Sequence, residues 1–558
     1  MAGSAGDRRT GGPVAVREGF TPWPAEFAAR YREAGYWRGE VLGDLLRPWA
    51  DWADEARDPG RTAVVTRHGR HTYGELDARA DELAAGLFEL GVRPGDGVVV
   101  QLPNTVEFLV TCVALFRLGA LPVLALPAHR RAELTYLTQY VGAVALVTSD
   151  RTPGVDHRTV AQEVRDACPT LQHVLVVGDP GPFLAWSQVR APARELPRPD
   201  PQDVAFFLLS GGTTGLPKLI PRTHDDYAFQ LRATAEAMSF DHRHAYLAAV
   251  PVAHNAALGC PGVLGALRVG GRAVLAASPS PDEVFPLITQ ERVTLTTVMP
   301  AVLSLWVETA DMFEVNLSDL VIEVGGAVLQ PDLARAVRPA LGATLTHWFG
   351  MAEGMLCFTR PGDGDEAAAT TQGTPMCADD ELLIVDEAGE PVAPGEVGEL
   401  LARGPCVLRG YYAVPEHNRT VFTPDGFLRT GDLARFDAEG RLVISGRIKD
   451  VINRGGEKVM ADEVEGHLLA HERVRAAAVV PFPDRRLGEK TCAVIVADDP
   501  APSLVELRKL LRDRGLADYK LPDRLEVVEA LPLTNVGKVD KRALAAAVLG
   551  DLTTAASR

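Results

Sequence analysis

Residues 204–209 read "VAFFLL" and run straight into residues 210–218, "SGGTTGLPK". The apolar run reads as a strand, and the polar stretch after it carries the glycines, hydroxyls and lysine of a phosphate-holding loop. Gly211, Gly212 and Gly215 let the backbone turn its N–H groups inward around an anion. Ser210, Thr213 and Thr214 add hydroxyl donors, and Lys218 adds a positive charge. The GxxxxGK[ST] spacing of a Walker A loop is absent. Taken alone, the stretch reads better as a Gly/Thr surface turn between a strand and a helix.

The flanking chain supplies a scaffold for such a loop. Over 61–150, "TAVVT", "DGVVVQLP" and "LPVLALP" read as strands, separated by the helical patterns "TYGELDARADELAAGLFELG" and "NTVEFLVTCVALFRLG". Short apolar strands between such helices predict an α/β fold built on a mostly parallel sheet. The pattern returns in "HVLVVGD", "AYLAAVPV", "RAVLAA", "VTLTTVMP" and "DLVIEVGGA". From about residue 380, "DELLIVDEAGEPVAPGEVGELLARG" predicts a small β-rich subdomain. The polar segment 446–459, "GRIKDVINRGGEKV", reads as a connection, and an α+β tail of helices and strands follows it. The expected organisation is a polar leader over 1–18, a large N-terminal domain over 19–448 and a small C-terminal domain over 449–558.

At 558 residues the chain has room for more than one domain. Its formal net charge of −17, from 57 basic and 74 acidic residues, argues against nucleic-acid binding. Seven cysteines without a CxxC pair suggest free thiols in a reducing cytoplasm rather than a zinc site or a disulfide framework. The leader lacks the apolar centre of a secretory signal. The most apolar region, 108–127, is broken by Arg117, Gly119 and two prolines, so it reads as a buried helix followed by a buried strand and not a membrane span.

Three further stretches carry chemistry. "HWFGMAEGML" (347–356) places Glu353 after Phe349 and Gly350, and a carboxylate beside a phosphate loop suits Mg²⁺, which shares oxygen ligands with a nucleotide; alone it reads as a solvated acid. "GFLRTGDLARF" (426–436) offers Asp432 after a turn, as an acceptor for two ribose hydroxyls or as a plain turn residue. "LPLTNVGKVDK" (531–541) presents Lys538, one surface lysine among many when taken alone.

In this order and spacing, "SGGTTGLPK", "FGMAE", "TGD", "GRIKD" and "TNVGK" resemble the motifs of the adenylate-forming superfamily of acyl-CoA synthetases, peptide-synthetase adenylation domains and luciferases. The resemblance spans about residues 20 to 545. "LIPRTHDDY" (219–227), "PVAHNAALGCPGVLGAL" (251–267), "FGMAEG", "INRGGEKV" and the segment 19–37 narrow it to the stand-alone aryl-acid–AMP ligases. These activate 2,3-dihydroxybenzoate or salicylate for siderophore and antibiotic assembly.

The resemblance implies ATP and Mg²⁺ as cofactors, an aryl carboxylic acid as substrate and a carrier protein with a phosphopantetheine arm as partner. It implies Lys538, Glu353 and His254 as catalytic, with Glu353 on the metal and Lys538 contacting carboxylate and α-phosphate. Residues 210–218 would hold the β- and γ-phosphates, and Asp432 and Arg447 the ribose. Gly325, Gly326 and Ala327, with Phe349, Gly350, Met351 and Ala352, would line the adenine cleft. Lys449 matches the hinge about which the small domain rotates for thioester formation, when Gly455 and Gly456 would face the cleft. An aryl-CoA ligase using free CoA is the alternative; a P-loop kinase and a non-catalytic binding protein fit the motifs less well.

For the acid itself the resemblance implies a pocket of His254, Asn255, Ala256, Cys260, Glu323, Gly325, Gly350, Leu356, Cys357 and Lys538. Asn255 would meet the ring's 2-substituent. Cys260 and Leu356 lean towards salicylate, whereas Ala256, Cys357 and Glu323 depart from the usual aromatic, Asn and Gln. A buried carboxylate needs a donor. Glu323 therefore reads either as a partner for a ring amine, as in 3-hydroxyanthranilate, or as bonded to a water or a backbone N–H.

Overall fold

The computed structural model describes residues 18–152, 154–210, 217–313, 315–454, 457–484, 487–514, 516, 518–534 and 538–556. A mixed α/β architecture forms a large N-terminal region and a small C-terminal region. The large region holds two sheets with parallel centres. Nine strands in one run in the spatial order 374–375, 356–358, 344–350, 321–324, 295–298, 245–248, 272–275, 62–66 and 69–72. Seven in the other run 219–223, 204–209, 121–124, 97–101, 145–149, 173–177 and 184–185.

The main hydrophobic core lies between these sheets and the helices packed on them. It joins Val98, Val100, Phe206 and Leu208 of one sheet to Tyr246, Ala248 and Leu295 of the other. Helix Val106–Leu118 crosses this core with every residue from Phe108 to Leu118 buried. A helix apolar on all sides has no solvent face to present, so it is sandwiched. Its Arg117 still reaches polar partners, bonding the Gly43 carbonyl and the carboxylates of Asp77 and Asp81. Among the described residues no helix is long and apolar enough to cross a membrane, which matches the buried helix and strand expected there. Helix Tyr73–Glu89 starts where "TYGE" predicts, in a capping box between Thr72 and Glu75.

The stretch after residue 380 forms a four-stranded antiparallel sheet, Glu381–Val385, Gly398–Arg403, Leu428–Phe436 and Leu442–Arg447. Two local expectations need correction. Residues 210–218 join the antiparallel strands Val204–Leu209 and Leu219–Thr223, so the loop tips a hairpin and is not a strand-to-helix turn. The segment 446–459, read as a connection, is largely strand. A single turn, Ile448–Asp450, separates Leu442–Arg447 from Val451–Arg454, which pairs with Glu457–Met460. Its polarity misled because one buried apolar residue in each strand, Ile452 and Val459, reaches the C-terminal core. That core is closed by the long pair Val474–Asp484 and Gly488–Ala497 and the helices Ala461–Leu468 and Leu504–Asp513. All seven cysteines are free.

Candidate active site

The hairpin beneath the phosphate-type loop is clamped at its neck. Ser210 N–H donates to the Lys218 carbonyl at 2.9 Å, and Lys218 N–H donates to Ser210 Oγ at 2.9 Å. Gly211, Gly212, Thr213, Thr214 and Gly215 lie outside the described residues. The Lys218 ammonium stands 6.0 Å from the centroid of the Tyr411 ring. Tyr411 in turn donates its hydroxyl to Glu353 Oε1 at 2.7 Å. Lys218 and Glu353 therefore flank one tyrosine.

Glu353 is buried, 6% exposed, and not the solvated acid that its motif alone would give. Strand Thr344–Gly350 delivers the chain to a turn in which Gly354 N–H donates to the Met351 carbonyl, folding the carboxylate back under residues 404–411. Burial pushes its pKa up, and the Tyr411 hydrogen bond opposes this. Among the described residues no group of three or more His, Cys, Asp or Glu gathers as a metal site. A buried carboxylate held by Tyr411 suits Mg²⁺, which takes one or two carboxylates and completes its shell with substrate phosphates and water.

Asp432 and Arg447 face each other across neighbouring strands. Arg447 Nε donates to Asp432 Oδ1 at 2.6 Å. Burial works against the Arg447 charge, but Asp432 outweighs it, with smaller help from Asp450 and Glu353, so the guanidinium pKa lies above its ordinary value. Lys538 arrives from the C-terminal region. Its backbone N–H donates to Thr534 Oγ1 at 3.2 Å, while Asn535, Val536 and Gly537 lie outside the described residues. The Lys538 side chain stays open to solvent yet is crowded by protein. Desolvation lowers its pKa first, Arg447 and Lys449 add to this, and Asp432 and Glu353 oppose it. His254 feels the same ammonium: burial, then Lys538, lowers its pKa to about 4. His254 is therefore neutral at physiological pH, and its Nδ1 accepts the Ala256 N–H at 3.3 Å.

Asn255, Ala256 and Cys260 sit on the short helix Asn255–Gly259 and its end, all buried. Asn255 Oδ1 accepts from the Tyr227 hydroxyl at 2.8 Å, and its Nδ2 points at Cys260 Sγ, 3.6 Å away. Leu356 and Cys357 pair with Gly350 and Phe349 across the sheet. Gly325 and Gly326 follow strand Val321–Val324 into the exposed-edge residue Ala327. A Cβ on Gly325 would fall 2.4 Å from the Trp348 carbonyl, and Gly326 holds φ +77. Both glycines are thus required by close packing and by the turn.

A buried polar network that no motif announced ties these elements together. Arg222, 1% exposed, donates Nε to Asp226 Oδ1 (2.8 Å), Nη2 to Gln230 Oε1 (2.8 Å) and Nη1 to the Ala352 carbonyl (3.2 Å). Gln230 passes the chain on, donating to the Gly259 carbonyl at 2.8 Å. Asp226 also caps its own helix, in a box with Thr223. One guanidinium thus fixes the phosphate hairpin, the residue before Glu353 and the helix that carries Asn255. The stretch "LIPRTHDDY" is legible as a family signature and contains Asp226, but the Ala352 carbonyl that Arg222 also holds lies 130 positions away in sequence.

Glu323 is fully buried. Thr297 Oγ1 donates to its Oε2 at 2.8 Å, and Oε1 has no hydrogen-bond partner among the described residues. The donor to Oε2 is a threonine hydroxyl on the neighbouring strand and not a backbone N–H, one of the three expected partners together with a water and a ring amine. Burial pushes the Glu323 pKa from 4.5 to about 8, with Thr297 opposing. The unfolded carboxyl titrates near 4.5, so between that pH and about 8 the folded state holds one proton more. Its contribution to stability is complete below 4.5 and declines as pH rises, by up to about 1.4 kcal/mol per pH unit. Glu323→Gln has no such proton to lose. Its stability relative to wild type, from urea midpoints at about pH 5 and about pH 8, is expected to improve at the higher pH; parallel curves would refute the assignment.

Comparison with known proteins agrees with this geometry. Residues 50–412 match the AMP-binding enzyme family and residues 463–538 the AMP-binding enzyme C-terminal domain. The chain is 50% identical over 532 residues to 2,3-dihydroxybenzoate-AMP ligase of Bacillus subtilis (strain 168), covering 95% of this chain and 98% of that one. It is 47% identical over 555 residues to the salicyl-AMP ligase / salicyl-S-ArCP synthetase of Mycobacterium tuberculosis (strain ATCC 25618 / H37Rv), covering 98% and 97%. The apo structure of Mycobacterium smegmatis MbtA superposes with a TM-score of 0.73 at 48% identity, over 94% of this chain and 98% of that one. With His254, Asp432, Arg447 and Glu353 all near enough to feel the Lys538 charge, the chain belongs to the AMP-binding enzyme family and stands there among the aryl-acid–AMP ligases.

Proposed function

We propose that the protein activates a hydroxy- or aminohydroxybenzoic acid with ATP to give aryl-AMP and pyrophosphate, and then passes the aryl group to the phosphopantetheine thiol of a carrier protein in siderophore or antibiotic assembly. The observation that carries this reading is the placement of Lys538 alongside His254, Asp432, Arg447 and Glu353, residues drawn from both regions of the chain. In the first step the carboxylate oxygen forms a bond to the α-phosphorus as the bond to the β-phosphate oxygen breaks. Two anions must meet, so the catalytic task is positioning and charge neutralisation. Lys538 bridges carboxylate and α-phosphate. The 210–218 loop and Lys218 hold the departing pyrophosphate. Asp432, braced by Arg447, takes the ribose hydroxyls, and the backbone of Gly325, Gly326 and Ala327, with residues 349–352, receives the adenine. Neutral His254 walls the acid without adding charge. Glu353 would hold Mg²⁺, which when bound neutralises phosphate charge.

The turn Ile448–Asp450 supports Lys449 as the hinge, because it is the single-turn joint between the last strand of one sheet and the first of the next. Rotation there withdraws Lys538 and brings residues 453–459 to the cleft for the thiol. Acid-dependent ATP–pyrophosphate exchange, with AMP as the nucleotide product, tests the first step. Incubation with a phosphopantetheinylated aryl carrier protein or with free CoA tests the second. Thioester on CoA alone would replace the carrier by the aryl-CoA ligase alternative, and ADP as product would overturn the reading.

A further inference from the structure

The face of the nine-stranded sheet that carries Glu323 looks towards the candidate acid pocket. Ile322 and Val324 point to the opposite side, into a separate core with Val298 and Leu345. Thr297, Glu323 and Thr346 lie side by side in register on the pocket side. Cys260 and Tyr246 are close enough to Glu323 to feel its charge. Cys260 is also the group that Asn255 Nδ2 points to. A path of neighbours thus leads from the amide expected at the ring's 2-substituent, through Cys260, to the free oxygen of Glu323.

Two polar atoms at this end of the path make no hydrogen bond among the described residues: Glu323 Oε1 and the Tyr246 hydroxyl, both on fully buried side chains. Buried polar atoms in native proteins are nearly always paired, so these two are sites for an incoming partner. The Thr297 bond holds the carboxyl in place and leaves one oxygen for an incoming group. An aryl ring bearing only hydroxyls competes poorly here. A protonated carboxyl donates to a ring nitrogen, a better acceptor than a phenol oxygen, and an ionised one accepts from a ring amine. Only when one partner is ionised is the bond charge-assisted and about twice as strong as a neutral one.

We propose that Glu323, seconded by Tyr246, is the specificity determinant of the acid pocket, and that the substrate is an aromatic acid with a nitrogen on its ring edge, either as an amino group or as a ring nitrogen. This deepens the adenylation reading above and rests on it. A site built around a buried polar group discriminates strongly against analogues that leave the group unpaired.

The test uses two matched pairs that differ at one position: 2,3-dihydroxybenzoate against 3-hydroxyanthranilate, and salicylate against 3-hydroxypyridine-2-carboxylate. Acid-dependent ATP–pyrophosphate exchange is measured for each with the full chain, in wild type and in Glu323→Gln, which keeps shape and can still accept from Thr297. Wild type is expected to favour the nitrogen acid of at least one pair in kcat/KM by about tenfold or more, and Glu323→Gln to lose that ratio. The amino pair and the heteroaromatic pair separate the two nitrogen sources. Preference for the oxygen acid in both pairs, or a ratio that the glutamine variant leaves unchanged, overturns the proposal. If the variant gives no cooperative melt, the wild-type ratios decide. If wild type exchanges with none of the four acids, the adenylation reading is what fails, and calorimetric binding of the same pairs to wild type decides the inference by the same ratio.

Discussion

Lys538→Ala is expected to abolish most acid-dependent ATP–pyrophosphate exchange, with kcat falling by about 10²- to 10³-fold, the loss typical for one preorganised donor at a developing charge. The residue is the contribution of the C-terminal region to the cluster of His254, Asp432, Arg447 and Glu353. Its loss removes the cation that lets two anions meet and leaves the pocket and the ribose pair intact. KM for the acid should therefore change much less than kcat. Transfer of the aryl group from preformed aryl-AMP to the thiol acceptor should persist within a few-fold, because the proposed rotation about Lys449 carries Lys538 away before that step. Retention of normal exchange in the variant would remove Lys538 from the mechanism. Equal loss of both half-reactions would show a structural role instead.

Arg222→Met is expected to destabilise the protein by about 3–5 kcal/mol, the cost of leaving a buried charge without its partner. Arg222 is 1% exposed and, among the described residues, is the basic side chain bonded to the fully buried Asp226. Removing it strands that carboxylate, the Gln230 amide oxygen and the Ala352 carbonyl together. Urea unfolding of the full chain measures the loss. Adding Asp226→Asn to Arg222→Met removes the stranded charge while keeping an oxygen for the helix cap, so the double variant should regain some of the stability. A single variant within about 1 kcal/mol of wild type, or strictly additive effects, would show that the network carries little energy.

Two residues show why the sequence is an incomplete guide to this site. Glu353 is conspicuous in its motif, but whether it is solvated or buried depends on Tyr411, 58 positions later, whose hydroxyl covers it. Glu323 is conspicuous only as a carboxylate in an apolar run. Its meaning changed once strand register set Thr297 beside it and put it on the pocket face rather than with Ile322 and Val324.

By itself the sequence determined the α/β class and the order of the motifs, and the family resemblance those motifs carry implied the residues expected to meet ATP. The first two are short-range properties: hydrophobic period, and glycines and donors a few positions apart on one loop. It misjudged residues 446–459, where short, half-polar strands that carry one core residue each, Ile452 and Val459, mimic a loop. Only the tertiary structure decided that His254 and Asp432 lie within range of the Lys538 charge, that Arg222 joins Ala352 to Gly259 through Gln230, and that Glu323 keeps one oxygen unpaired among the described residues. Each depends on how separate parts of the chain are placed. Its energy depends on burial and on which strand faces which, and no local window of sequence contains either.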